Sequence, residues 1–159
     1  MVDSLDQAAR SALMARVGGK NTRPEMIIRK LVFAAGYRYR LHVRKLPGSP
    51  DLVFPSRKKV IFVHGCFWHR HDNCSSSRIP KSRVDFWSDK LNGNKARDQR
   101  NQTALIEAGW QVLVVWECEL GNLIVLQDRL RLFLGPEGSR AALPTSEHYV
   151  SNRFTRIGC

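Results

Sequence analysis

An α/β fold with a mixed central sheet flanked by helices is predicted by three observations. Two segments, the continuous apolar run Val60-Ile61-Phe62-Val63 and Trp110 through Trp116, apolar except for Gln111, have the length and composition of buried strands. Residues 22–35 and 123–134 carry apolar side chains at helical spacing. The elements follow in the order helix, three strands, helix, strand, helix after a short N-terminal segment.

The first helix is expected from Ser4 to about Arg16, where Ser4 and Gln7 make a capping box, and Gly18-Gly19 ends it. This segment is either an arm that docks on a partner or a mobile terminus. Residues 22–35 form a stronger helix. Thr22 and Glu25 make a second capping box, Pro24 lies in the first turn, and Gly36 closes the end. Ile28, Leu31, Val32 and Ala35 share its buried face. Glu25 therefore already has a structural role as a cap.

Alternation predicts a half-buried strand over residues 37–43, with Tyr37, Tyr39, Leu41 and Val43 inward and Arg38, Arg40 and His42 outward. A turn at residues 46–50 leads into a short strand over 51–54, and a basic turn over 55–59 leads into the apolar run at Val60. Residues 73–81 read as a loop. Val84 to about Ala108 is mainly helical, with Asn92-Gly93-Asn94 as a candidate break and Gly109 as the stop. The closing helix, 123–134, is expected to turn Leu123, Leu126, Leu130, Phe133 and Leu134 inward. Residues 135–159, rich at first in Pro, Gly and Ser, read as a tail with little fixed structure.

At 159 residues the chain fits one domain with a real core, and 43% hydrophobic with 25% charged residues fits a soluble globular protein. Lys+Arg 26 against Asp+Glu 14 gives a net charge of +12, which points to a polyanion such as nucleic acid. A basic surface without a dedicated partner is the alternative. No apolar run approaches the roughly 20 residues that span a bilayer, and no signal pattern opens the chain, so a cytoplasmic protein without a membrane partner is expected. In that compartment clustered Cys and His residues point to metal rather than disulfides. Cys159 stands apart as an incidental thiol.

Chemistry concentrates between Val63 and Cys74. Cys66, His71 and Cys74 in one loop, with Cys118 just past the second apolar run, match a closed four-coordinate Zn²⁺ site of structural type. Buried cysteines without metal are the competing reading. Asp51, at a turn-to-strand junction, and His64, at the end of the next strand, meet at one end of the sheet if those strands are antiparallel neighbours, with His69 close behind. A carboxylate there suits Mg²⁺ against a phosphate oxygen, and a histidine beside it moves protons near neutral pH. Phe67 and Trp68 point to opposite sides if the chain is extended, so either core packing or a wedge into stacked bases is open to them, and to Phe86-Trp87.

Pro50-Asp51, Phe62 through His69, Phe86-Trp87, Asn94 with Arg97-Asp98, and Gly109-Trp110 through Trp116-Glu117-Cys118 together resemble the very-short-patch mismatch repair endonucleases. The likeness spans about residues 5–120, and the element order is also similar to the restriction-endonuclease-like core of that superfamily. The resemblance implies a Mg²⁺-dependent DNA endonuclease. It nicks 5′ of the mispaired thymine in T·G mismatches left by 5-methylcytosine deamination and so starts very short patch repair. Asp51 and the Val63 carbonyl would hold Mg²⁺. His69, oriented by Asp98, would assist the attacking water, His64 would stabilise the leaving or phosphate oxygen, and Glu25 would bind metal-coordinated water. Met14, Phe67, Trp68 and Trp87 would wedge the mismatch apart.

Residues 1–20 would then be a DNA-binding helical arm and 21–134 the endonuclease domain. The implied partners are duplex DNA with a T·G mismatch, mismatch-repair proteins and, functionally, a cytosine-5 DNA methyltransferase, for a nucleoid-associated monomer. Phe62 and His64 stand where restriction enzymes carry an acidic residue and a lysine, which indicates the histidine-based variant. Val63 replaces a threonine of better-known members, leaving a carbonyl ligand and no hydroxyl. One extra residue separates His71 from Cys74. Two alternatives use the same features: a less mismatch-selective nicking or restriction-like enzyme, and a zinc-stabilised DNA-binding module without catalysis.

Overall fold

The structure is a computed structural model that describes residues 19–137. The expected helix over residues 4–16, with Met14, and most of the expected tail lie outside the described residues. Within them the elements are α1 (Arg23–Ala34), β1 (Arg40–Leu41), β2 (Leu52–Phe54), β3 (Lys59–His64), α2 (Val84–Glu107), β4 (Gln111–Trp116) and α3 (Leu123–Leu134). The sheet has the order β1-β2-β3-β4. β1 and β2 and then β2 and β3 pair antiparallel, whereas β3 and β4 run parallel in register from Lys59↔Gln111 to His64↔Trp116. The expected mixed sheet flanked by helices is therefore present.

Strand alternation sorts the apolar residues onto two faces. Leu52, Phe54, Ile61, Leu113 and Val115 meet Ile28 and Val32 of α1 and Leu126, Leu130 and Leu134 of α3. Val53, Val60 and Phe62 meet Leu105 of α2 on the opposite face. The sheet is thus buried on both sides, which explains why β3 reads as an unbroken apolar run. Each fully buried aliphatic side chain contributes about 1.5–3 kcal/mol through removal from water.

Several local expectations are revised. The strand expected over 37–43 shrinks to two residues, because His42 adopts φ +45° and turns the chain out of the extended conformation. Leu41 is consequently exposed rather than inward. α2 does not break at Gly93: Leu91, fully buried, anchors the helix there, and the neighbouring amides bond outside the backbone ladder, Asn92 to Arg70 and Asn94 to the Trp68 carbonyl. Leu123 lies at the exposed start of α3, whose inner row is Leu126, Leu130 and Leu134.

The end of α3 is tied down rather than loose. Lys59 Nζ donates to the Phe133 carbonyl at 2.6 Å, Arg57 donates to the Leu134 carbonyl at 2.8 Å, and the Tyr37 hydroxyl donates to the Gly135 carbonyl at 2.5 Å. All three donors satisfy carbonyls at the helix end, and the Lys59 and Arg57 cations also offset the negative end of the helix dipole. Part of the basic turn expected at residues 55–59 therefore serves the fold. Among the described residues no helix is long and apolar enough to cross a membrane.

Candidate active site and metal centre

Because β2 and β3 are antiparallel with Leu52 opposite Ile61, Asp51 arrives beside the C-terminal end of β3. β2 starts at Leu52, so the Val63 amide lies beyond the ladder and donates instead to Asp51 Oδ2 at 2.7 Å. Among the described residues Asp51 Oδ1 accepts no hydrogen bond, and Nδ1 of His42 lies 3.9 Å from it. Burial, opposed by the Val63 hydrogen bond, pushes the Asp51 carboxyl up to about 6, with Glu25 adding repulsion. A half-buried carboxylate with one oxygen free of hydrogen bonds, together with a backbone carbonyl, is a hard-oxygen donor set that fits a divalent cation.

His64 closes β3 and is buried; His69 follows in the loop. Their rings stack with centroids 3.8 Å apart and planes 8° from parallel. Burial, with the adjacent His69 charge, pulls His64 down to about 3, so it is an uncharged imidazole at neutral pH. His69 Nδ1 lies 2.5 Å from Asp98 Oδ2 on α2. A carboxylate only accepts, so Nδ1 carries the proton and Nε2 keeps its lone pair. Asp51, Val63, His64, His69 and Asp98 all line one cavity of about 890 Å³, together with Glu25.

Glu25 caps α1 as expected: its amide bonds Thr22 Oγ1, and its carboxylate takes the Thr22 hydroxyl and the Asn21 amide. It is also buried and pairs with Arg29 at 3.0 Å. Arg29 in turn donates to His42 Nε2 at 2.9 Å. Sequence reading missed both Arg29 and His42. The Glu25-to-Arg29 spacing of i to i+4 was a legible signal for the pair, but His42 reads as one member of an outward basic row.

The four residues expected to bind zinc converge into a cluster that could hold a metal ion. The Sγ atoms of Cys66, Cys74 and Cys118 and a ring nitrogen of His71 all fall within 4.8 Å of one another. His71 Nδ1 is 3.6 Å from Cys66 Sγ and 3.4 Å from Cys118 Sγ. A tetrahedral ion with Zn–S of about 2.3 Å and Zn–N of about 2.0 Å separates S from N by about 3.5 Å, so the set fits that geometry. The parallel pairing of β3 and β4 produces this convergence, because both strands end at the same edge and deliver Cys66 and Cys118 together. His71 also stacks on Trp116 of β4 at 4.2 Å. Lys95 pairs with Asp72 at 2.7 Å, an exposed contact worth about 0–1 kcal/mol.

Phe67 and Trp68 do not lie in extended chain. Bonds from the His69 amide to the Gly65 carbonyl and from the His71 amide to the Cys66 carbonyl close a turn, and the two rings pack edge to face at 5.2 Å. Trp87 packs against Phe67 at 5.5 Å and is only 7% exposed, whereas Phe86 is exposed. The turn thus carries a half-buried aromatic pair, of which Trp68 lines the cavity, and Trp87 packs against both rings. Lys90 Nζ sits 5.8 Å from the Trp68 ring and 5.7 Å from the Phe86 ring.

A family model described as DNA mismatch endonuclease Vsr matches residues 2–75. The chain is 54% identical over 136 residues to the type II nicking enzyme V.XorIIP of Xanthomonas oryzae pv. oryzae, covering 86% of this chain and 99% of that protein. It is 43% identical to the type II nicking enzyme V.NmeAIP of Neisseria meningitidis, over 82% of this chain and 92% of that protein. It is 38% identical to the DNA mismatch endonuclease Vsr of Escherichia coli, over 91% of this chain and 96% of that protein. With a carboxylate and a histidine–aspartate pair in one cavity, the protein is a nuclease, a hydrolase of phosphodiester bonds. It belongs to the DNA mismatch endonuclease Vsr family.

Proposed function

We propose that the protein is a DNA endonuclease that nicks one strand 5′ of the mispaired thymine in a T·G mismatch, with Mg²⁺ at Asp51 and the Val63 carbonyl and structural Zn²⁺ at Cys66, His71, Cys74 and Cys118. The observation that carries this reading is the His69–Asp98 pair opening onto the same cavity as Asp51. The Nε2 lone pair of His69 takes a proton from the attacking water, and Asp98 holds the ring and offsets the charge it gains. His64, uncharged, donates a hydrogen bond to the phosphate or the leaving oxygen rather than a countercharge. Asp51 is fixed by the Val63 amide, and its free oxygen faces the metal position. When bound there, Mg²⁺ supplies Lewis-acid stabilisation of the charge that develops on the phosphate oxygens. Glu25 holds water at that position from α1.

Phe67 and Trp68 stack on bases at the mismatch, with Trp87 as their support and Met14 approaching from the N-terminal arm formed by residues 1–20. The net charge of +12 favours DNA through its phosphates. Residues 21–134 form an endonuclease domain with a restriction-endonuclease-like core. The same reading extends to a nucleoid-associated monomer that acts with mismatch-repair proteins and alongside a cytosine-5 DNA methyltransferase.

The test incubates protein and Mg²⁺ with matched duplexes, T·G duplexes and duplexes with other mismatches, in several sequence contexts. Nicking confined to T·G duplexes, on the thymine strand, is expected. Equal nicking of matched DNA selects a less discriminating nickase, and loss of all nicking on chelation with EDTA is required by the metal assignment.

A further inference from the structure

His42 belongs to none of the groups assigned above, yet it stands between two of them. Its Nδ1 is 3.9 Å from Asp51 Oδ1 and its Nε2 is 3.9 Å from Glu25 Oε2. Its surroundings fix its proton. The Arg29 guanidinium, which can only donate, lies 2.9 Å from Nε2, so Nε2 accepts and the hydrogen resides on Nδ1, the nitrogen that faces Asp51. Arg29 is held in turn by Glu25 at 3.0 Å and by Asn21 Oδ1 at 2.8 Å. The backbone also pays for this placement: φ is +45°, a left-handed conformation that costs a non-glycine residue about 1 kcal/mol or more. An ordinary continuation of β1 would have pointed this side chain outward. Instead it lines the cavity wall.

We propose that His42 is a positioning residue for the metal-binding carboxylate: Arg29 fixes its tautomer, and its Nδ1–H faces the Oδ1 side of Asp51 across 3.9 Å and biases the rotamer electrostatically, while the Val63 amide hydrogen-bonds Oδ2. The Glu25–Arg29–His42 chain thereby carries the order of the α1 N-terminus to Asp51, and the carboxylate keeps one rotamer before any metal arrives. This inference rests on the assignment of Asp51 as the metal-binding carboxylate. Groups of this kind, which orient a ligand without touching metal, typically change metal affinity or activity about 10–100-fold when removed.

His42→Gly separates positioning from backbone structure, because glycine adopts φ +45° at no steric cost while deleting the imidazole. The variant is expected to melt at or above the wild-type temperature, bind DNA with unchanged affinity, and nick about 10–100-fold more slowly at limiting Mg²⁺, with recovery as Mg²⁺ is raised. His42→Asn, which also tolerates positive φ and retains a donor, is expected to recover part of the rate. A metal-free readout comes from the Val63 amide, followed by NMR. Its resonance shifts and its hydrogen exchange quickens in His42→Gly if Asp51 loses its rotamer. Wild-type rate, Mg²⁺ dependence and Val63 protection in His42→Gly overturn the proposal. So does slow nicking with an unperturbed Val63 amide, which would make His42 a substrate contact. Asp51→Ala is run in parallel: its nicking like wild type defeats the underlying metal assignment, whereas an inactive Asp51→Ala beside a fully active His42→Gly defeats the His42 role alone.

Discussion

The imidazoles of His64 and His69 lie face to face, 3.8 Å between centroids, and only His69 has a carboxylate partner. Two cations at this separation repel and burial keeps His64 uncharged, so the charge gained in proton transfer rests on His69, where Asp98 offsets it. His69→Ala is expected to slow nicking about 10²- to 10⁴-fold with DNA affinity preserved. Asp98→Asn retains the geometry but removes the charge, and a smaller loss is expected. Single-turnover nicking beside fluorescence anisotropy checks both; a wild-type rate in His69→Ala would falsify the proton-transfer role.

The largely desolvated Asp51 carboxylate makes the metal-free protein less stable at neutral pH. Its folded value of about 6 exceeds the ordinary 3.8 of a free aspartate, so the penalty is complete well above pH 6, shrinks as pH falls, and vanishes below 3.8. Asp51→Asn in EDTA is therefore expected to raise stability at pH 7 by about 3 kcal/mol at most, with the gain disappearing near pH 4. Thermal melts across that range read the effect. A gain that grows on acidification contradicts it.

Cys118 reaches the loop from the far end of β4, so on the proposed zinc assignment its loss detaches the Cys/His cluster from the sheet. Cys118→Ser is expected to purify with well under one zinc per chain and to lose about 4 kcal/mol of stability or more. Elemental analysis with chemical denaturation measures both quantities, and a full zinc complement in the variant removes Cys118 from the ligand set.

Trp68 and Trp87 are neighbours whose replacement should fail in different assays. Trp68, half-buried where it lines the cavity, is expected to lose about 1–3 kcal/mol of DNA affinity on change to alanine, with little effect on melting. Trp87 is buried behind it, and Trp87→Ala is expected to cost about 3–5 kcal/mol of folding stability. Equal melting temperatures for the two variants would contradict this division.

The elements that carry their own signal were legible in the sequence: α1 through its Thr22–Glu25 box, β3 and β4 through their apolar runs Val60–Val63 and Val112–Trp116, and the convergence of the Cys/His cluster through residue types at the ends of those strands. What escaped depends on a single backbone angle or on depth. Alternation assigns His42 to the solvent side, and only its positive φ turns it toward Asp51. Phe67 and Trp68 read as opposed residues of an extended chain, but the hydrogen-bonded turn brings them together. Nor does the sequence distinguish Trp87 from Phe86, since one step around a helix sends the first under the loop and the second into solvent.

The parallel union of β3 with β4 also dictates a timetable. Neighbouring antiparallel strands can zip from a short turn, but β4 can join β3 only after the chain has run through the whole of α2 and the loop entropy of that excursion has been overcome. Asp51 and Val63 meet through the local pairing of β2 and β3, whereas Cys118 reaches Cys66 only through the later, distant pairing. The carboxylate side of the cavity is thus assembled early in folding and the metal-clamped loop late, so zinc capture in a refolding experiment marks the arrival of β4 and should trail the first formation of the β2–β3 hairpin.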